Sequence, residues 1–544
     1  MSEPTDTGTT NTEKTEPKLG GRYANYVLAV LVIVYVFNFI DRQILSILAE
    51  DIKLDLGVTD AQMGFLYGTV FAVFYAVFGI TLARFADVWI RRSLIAVGLA
   101  FWSVMTALSG TARSFVSLAG YRIGVGIGEA SASPAAFSML SDYYPPKLRA
   151  TVLAIYSSGV YIGGGIGLFL GGFILETWNG AYPEPSEAPL GLRGWQAAFM
   201  AVGIPGILMA LWVRTLREPK RGVSEGLVVE DHPAPFSVLR TELGAMMPVF
   251  NLVGLVRAGG SLPLNAIAAL IIAAVAYGLV LLTGSVAQWI AIGIGAYVTF
   301  TWAQSLARRD PATFGMIFKS KAMIYTMLAF PTISFVTYGT GFWTAPLLLR
   351  LHDTDASTVG MYIGLGSAAG GLLGVTLGGF FADKFKQRNP AGRLIIGYVA
   401  VFGTAPLVLW MVYTDSLYWA FALNFLYHIP SACWPGIPPS TAADLVMPRM
   451  RAVAGAYYIL VNTFVGLALG PYVMGQLSDA FLAGGADSAN SLQMAITWSM
   501  AIFGLTLVFL TLAWRNLPRD EATRLERAEG LGEEIPSGIR ATNN

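Results

Sequence analysis

Apolar runs of about 20 residues recur along the chain, separated by short charged stretches, and a helix of that length matches the hydrocarbon thickness of a bilayer. Six runs cover residues 23–48, 62–85, 93–111, 115–140, 151–175 and 195–213; six more cover 322–349, 358–381, 394–413, 417–442, 453–477 and 492–514. Two further runs, 264–282 and 286–303, lie between the sets. The pattern predicts an all-α polytopic membrane protein. Its N-terminal six-helix bundle is expected over 23–215, a linker with an inserted two-helix hairpin (264–303) over 216–321, and a C-terminal six-helix bundle over 322–514. Residues 1–22 are polar with no apolar face and read as a disordered N-terminal segment. No secretory signal is read there, because a basic start followed by a short apolar core is missing. After Trp514 arginines alternate with acids, so 515–544 reads as a solvated tail.

Composition agrees with the pattern: 55% of residues are hydrophobic and 13% charged, against roughly 25% charged in soluble domains. The single Cys433 excludes an intramolecular disulfide, and His232, His352 and His428 are too dispersed for a metal site. No metal, cofactor or nucleic-acid partner is expected, and a monomer among membrane lipids is the expected assembly. Basic residues select one side of the membrane: Lys14, Lys18 and Arg22, Arg91 and Arg92, Lys147 and Arg149, Arg214 to Arg221, Lys384 to Arg388, Arg449 and Arg451. They fall on alternate loops shared with the N-terminus, which predicts a multi-pass inner-membrane protein with both termini cytoplasmic. A hairpin is even in number, so it leaves the second bundle oriented like the first.

The two sets of six repeat each other. Asp142, Pro146, Arg149, Ala150 and Tyr156 return as Asp444, Pro448, Arg451, Ala452 and Tyr458, every pair 302 positions apart, and Phe85-Ala86-Asp87 returns as Phe381-Ala382-Asp383. Parallel six-helix repeats are the layout of secondary transporters with a midplane site between halves.

Charges inside the apolar runs are the candidate chemistry: Asp41 and Arg42 in the first, Arg122 and Glu129 in the fourth. Each costs roughly 2.5 to 3.5 kcal/mol at the bilayer centre, so such residues face a water-filled path and pair with one another. At about 1.5 Å per residue, Asp41 and Arg122 both fall about 10 Å below the boundary opposite the N-terminus. Arg122 and Glu129 are seven apart and share a helix face. Arg42 or Arg122 can therefore pair with Asp41 or Glu129. Glu129 is the expected proton carrier, with Asp41 and Arg42 coupled to it, because burial makes each charge depend on its partner. Arg42 and Arg122 suit an anionic headgroup, since guanidinium forks bind phosphate or carboxylate bidentately. A purely structural role, riveting the N-terminal bundle, stays open. Phe37 and Tyr67 are candidate walls for an apolar chain, and Tyr338 and Trp343 are candidate uncharged polar contacts from the second bundle. The glycine runs at 124–128 and 163–167 follow no strand, so they read as helix packing and not as phosphate loops. No nucleophile, base and orienter can be assembled, so an enzyme is not expected.

The stretch Ala83 to Arg92 resembles the signature between helices two and three of the major facilitator superfamily: Asp87, Arg91 and Arg92 fit, while Val88 and Ile90 depart. The resemblance implies that fold and a gate at Asp87, Arg91 and Arg92, with Asp142, Arg149, Asp383, Asp444 and Arg451 as the repeated motif positions. Asn38-Phe39-Ile40-Asp41-Arg42 and Arg122-Ile-Gly-Val-Gly-Ile-Gly-Glu129-Ala-Ser are similar to motifs of the Spinster branch, as is Phe101-Trp102-Ser103. That likeness implies proton-coupled export, by alternating access, of a lysophospholipid-like or sphingosine-phosphate-like amphiphile. The hairpin departs from a plain twelve-helix member. A proton-linked carrier of small organic anions or drugs is the alternative of the same class, and a non-transporting receptor or scaffold the alternative of another.

Overall fold

The computed structural model describes residues 19–225, 232–246, 250–257 and 259–533. Residues 1–18 and 534–544, on which most of the disordered N-terminal segment and the end of the tail were expected, lie outside the described residues. Among those described there is no strand. Twelve helices among the described residues are long and apolar enough to cross a membrane. The first bundle comprises α1 (Arg22–Ile47), α2 (Asp60–Val88), α3 (Arg91–Ser109), α4 (Phe115–Glu129 and Ala132–Tyr143), α5 (Thr151–Ala181) and α6 (Gly194–Arg214). The hairpin is α7 (Leu262–Thr283) and α8 (Val286–Arg309). The second bundle comprises α9 (Lys321–Leu351), α10 (Ala356–Lys386), α11 (Gly392–Tyr413), α12 (Leu417–Ser431 and Ile437–Leu445), α13 (Pro448–Ala483) and α14 (Ser488–Ala522). The two crossings that are broken, α4 and α12, are the fourth of each bundle. The first break follows Glu129 directly, and the second falls among Pro430, Pro435 and Pro438, where missing N–H groups interrupt the helical ladder.

Helix starts follow local chemistry. Thr59 and Gln62 cap α2 reciprocally, with bonds of 3.3 and 2.9 Å. Ser114 and Ser117 do the same for α4, and Asp355 accepts from the Thr358 amide at 2.6 Å to open α10. Each supplies an acceptor to first-turn amides that lack an intrahelical partner.

The halves meet along two seams, α5 against α10 and α2 against α13. Glycine makes both possible. A Cβ on Gly360 would collide with the Leu168 carbonyl, one on Gly172 with that of Ala356, and one on Gly64 with that of Pro471. Single π-type turns, Phe65–Thr69 in α2 and Thr463–Ala468 in α13, face each other there, and Thr69 Oγ1 donates to the Ala468 carbonyl at 2.8 Å. Such turns free backbone groups for partners outside the helix.

The hairpin covers the α2/α13 seam. Its inner helix α8 lays Gly295 under the Phe464 ring and sets Trp289 edge-on to Tyr472 at 5.8 Å. No residue in the most apolar window of α7 is buried, and its mean hydropathy is 2.5, which marks a lipid-facing helix. Asn265 binds the two helices together through Thr301, Gln304 and Tyr297 at 2.8 to 3.1 Å, the kind of polar contact that joins helices in lipid.

One expectation is corrected. The segment after Trp514 is not simply solvated: α14 continues to Ala522, and the helix Arg524–Glu529 folds back on the second bundle. Arg524 donates to the Asp444 carbonyl and Arg527 to that of Leu445, both at 3.2 Å, while Arg449 pairs with Glu533. Two of the arginines read as solvated charges, Arg524 and Arg527, thus cap carbonyls at the end of α12.

Candidate substrate and proton site

The intramembrane charges converge. Arg42 on α1 donates through Nε to Glu129 Oε2 on α4 at 2.6 Å. Glu129 is fully enclosed, whereas 12% of the Arg42 side chain stays accessible, so Arg42 is the face this pair offers. Its guanidinium lies over Phe39, Phe71 and Tyr75 at 4.8, 4.2 and 4.8 Å. Three rings hold the cation while carrying no charge of their own. Arg122 lies 5.7 Å from the same Phe71 ring and donates to the Asp41 backbone carbonyl at 3.1 Å.

The Arg42 to Glu129 pair is one of the pairings that the spacing allows. Among the described residues Asp41 forms no ion pair; its side chain turns to Trp102 and Thr106. Asp41 Oδ1, Trp102 Nε1, Thr106 Oγ1, Glu129 Oε1, Asn38 Oδ1 and two nitrogens of Arg122 are buried with no hydrogen-bond partner. Each such group costs about 1 to 3 kcal/mol. A fold that concentrates so many in one knot has a reason other than stability.

Directly beyond Arg42, away from the termini, the halves close. Gln43 donates to the Gly341 carbonyl at 3.0 Å and accepts from the Tyr67 hydroxyl at 3.2 Å. The Tyr67 ring lies 4.4 Å from Phe342, and Ser46 donates to the Phe342 carbonyl. Tyr67 is therefore part of the closure above Arg42, and Tyr338 of the second bundle is half-buried. Trp343 is fully buried, and its indole donates to the Pro471 carbonyl at 2.8 Å, tying α9 to α13. Phe37 is half-buried, and none of the described ring contacts involves it.

Farther out, an ion cluster that the sequence reading missed spans the two halves. Arg350 of α9 reaches Asp60 and Glu50, each at 2.7 Å, and Lys53 also pairs with Asp60. Ser478 donates to Asp60 at 2.7 Å, and Asp479 accepts from the amides of Asp60 and Ala61 at 3.0 and 2.9 Å. A readable signal existed in part: Thr59-Asp60-Ala61-Gln62 spells a helix start.

The motif residues at the opposite end stay within their own halves. Arg91 is buried and bonded to Asp142 at 2.5 Å and Glu218 at 2.7 Å; Arg92 donates to the Leu216 carbonyl. Arg393 binds Asp444 at 2.7 Å and Asp383 at 3.2 Å, repeating the Arg91 to Asp142 bond 302 residues on. Arg149 and Arg451 each reach a carbonyl at the end of the preceding helix, Ser141 and Ala443. Asp87 is exposed and forms no ion pair among the described residues.

The description Major Facilitator Superfamily matches residues 31–471. The chain belongs to the Major Facilitator Superfamily. It is a multi-pass transporter of that superfamily and Spinster-like. It is 26% identical over 508 residues to an MFS-type efflux pump of Mycolicibacterium smegmatis, covering 91% of this chain and 94% of that one. It is 24% identical over 472 residues to Protein spinster of Drosophila melanogaster, covering 85% of this chain and 63% of the relative. The crystal structure of a bacterial homolog to the human lysosomal transporter Spinster, inward-facing and unoccupied, matches with a TM-score of 0.69 at 27% identity, over 92% of this chain and 99% of that one.

Proposed function

We propose that this transporter exports an amphiphilic lipid-like substrate, of lysophospholipid or sphingosine-phosphate type, in exchange for protons. It does so from the bacterial inner membrane with both termini cytoplasmic, and the closed end is then periplasmic. The observation that carries the reading is the Arg42 to Glu129 pair, ringed by Phe39, Phe71 and Tyr75 and accessible only through Arg42.

The chemistry follows from competition. A phosphate on the substrate binds the Arg42 guanidinium in place of Glu129. The carboxylate so released, in a low-dielectric setting, takes either the substrate's ammonium or a proton and not both. Mutual exclusion at one carboxylate is what exchange requires. Asp41, with its unpartnered oxygen beside Trp102 and Thr106, is a second stop for the same proton. The aromatic faces accept the first carbons of an acyl chain.

In proteoliposomes with an imposed pH gradient, Glu129→Gln is expected to lower gradient-driven exchange of a fluorescent lysophospholipid at least tenfold while leaving gradient-free exchange measurable. An unchanged gradient response removes Glu129 from coupling. The similarity to an efflux pump supports a second reading, efflux of drug-like organic ions. Competition by long-chain lysolipids favours the first reading, and competition by short aromatic cations or carboxylates the second.

A further inference from the structure

A cavity lies where the hairpin turn meets both halves. It measures about 370 Å³ and opens at the closed end of the molecule. Its wall comes from the start of α2, the first turn of α4, the turn between α7 and α8, and the end of α13. Gln288, in the first turn of α8, lines it. This side chain is 1% exposed, yet neither its amide nitrogen nor its amide oxygen has a hydrogen-bond partner. A buried amide left with both ends unpaired costs about 1 to 3 kcal/mol per group, and it demands a polar occupant.

Other lining groups define that occupant. Ser285, which precedes α8, makes no side-chain cap to its first turn and donates instead to Gln476 at 3.3 Å. The amides at this helix start are therefore free for an anionic oxygen, which the helix dipole also favours. On the opposite wall the Asp479 side chain accepts two amides from the start of α2, and no lysine or arginine lines the cavity. The cavity thus offers anion-binding amides on one wall and a carboxylate on the other. Phe65 and Phe115, with rings 5.8 Å apart, continue into an apolar strip of Ala119, Ile123 and Ala291 toward the middle of the membrane.

We propose that this cavity binds a membrane phospholipid with a primary-amine headgroup: phosphate at the start of α8, ammonium between Gln288 and Asp479, and one acyl chain along the Phe65 to Ile123 strip. A choline head has no N–H to donate to the Gln288 oxygen or to Asp479. A glycerol head leaves the phosphate charge unbalanced beside a carboxylate. The bound lipid touches α2 and α4 of one half, α13 of the other and the hairpin, so it stabilises the closed end, and bilayer composition sets how strongly. The site is separate from Arg42 and Glu129 and does not depend on what the transporter carries.

Native mass spectrometry of the full-length protein, released from detergent with dioleoyl phosphatidylethanolamine, phosphatidylcholine or phosphatidylglycerol present, tests this. The wild type is expected to retain one ethanolamine lipid at least fivefold more than either other lipid. Gln288→Leu should lose that preference with its melting temperature unchanged or raised, because it removes an unpaired amide. Asp479→Asn should narrow the gap between ethanolamine and glycerol lipids. Equal retention of all three lipids, no retained lipid (a cavity that holds water only), or a Gln288→Leu variant that keeps the preference overturns the proposal. Should Gln288→Leu fail to fold, Gln288→Met gives the same reading.

Discussion

The two ends of this transporter use the same ions to opposite effect. At the closed end Arg350 of the second bundle holds Asp60 and Glu50 of the first, so the bonds cross between halves. At the end that carries the termini, Arg91 holds Asp142 and Arg393 holds Asp444, and each bond stays inside one half. Arginine and aspartate supply both. What differs is the placement of the partner, and it decides whether an ion pair stiffens a bundle or latches two bundles together. Rigid halves with a releasable latch at one end are what alternating access needs.

The largest break in this comparison is Arg350→Ala. The Arg350 and Asp60 side chains are only 6% and 4% exposed, and removing one partner of a buried pair costs about 3 to 5 kcal/mol. Lys53 still faces Asp60, so the lower figure applies, enough to shift the closed-end equilibrium by more than 100-fold. Substrate protection of closed-end cysteines from a membrane-impermeant reagent reads it; protection equal to the parent contradicts the latch. Gly360→Val should act in the same direction but less, about 1 to 3 kcal/mol, because its Cβ meets the Leu168 carbonyl on the α5/α10 seam. A crosslink between α5 and α10 that forms as readily as in the parent counts against it.

The smallest effect sharpens the contrast from the other end. Asp310, just after the hairpin, is hydrogen-bonded to Arg449 of the second half, and that guanidinium holds its carboxyl down at about 2, with Thr313 assisting against burial. The folded form thus binds its proton less readily than the unfolded chain, whose carboxyl titrates near 4. The stabilisation is complete above that value and fades as pH falls toward 2. Both partners are a third to a half exposed, so it is worth under about 1 kcal/mol. The melting difference between Asp310→Asn and wild type should shrink between pH 6 and pH 3; a constant difference assigns the effect to packing.

Much of the architecture was legible because a crossing helix announces itself by 20 apolar residues, and because a 302-residue repeat aligns two bundles. Arg42 and Glu129 were legible for the complementary reason: a charge within such a run is expensive and needs a partner. The latch was not. Asp60, Arg350 and Asp479 stand at the ends of apolar runs, where a charge is ordinary, and only the docking of α2 on α13 and α9 gives them meaning. The contacts of Asp41 and Trp343 were not legible either. Residue type said that each could serve a cavity, but helix rotation decided that Arg122 meets the Asp41 backbone and that Trp343 points at Pro471. The tail failed because capping of α12 depends on where a broken helix ends, which no local pattern announces.

The central claim is that the halves rock about the Arg42 level and that Arg350 holds one end shut. Electron–electron distance measurements with Cys433→Ser as background test it, with spin labels at Leu54 and Leu482 for the closed end and at Lys147 and Arg388 for the other, all exposed positions. In Arg350→Ala the Leu54 to Leu482 distances should lengthen while the Lys147 to Arg388 distances shorten. No change at either end, or a longer closed-end distance with the other end unmoved, contradicts it.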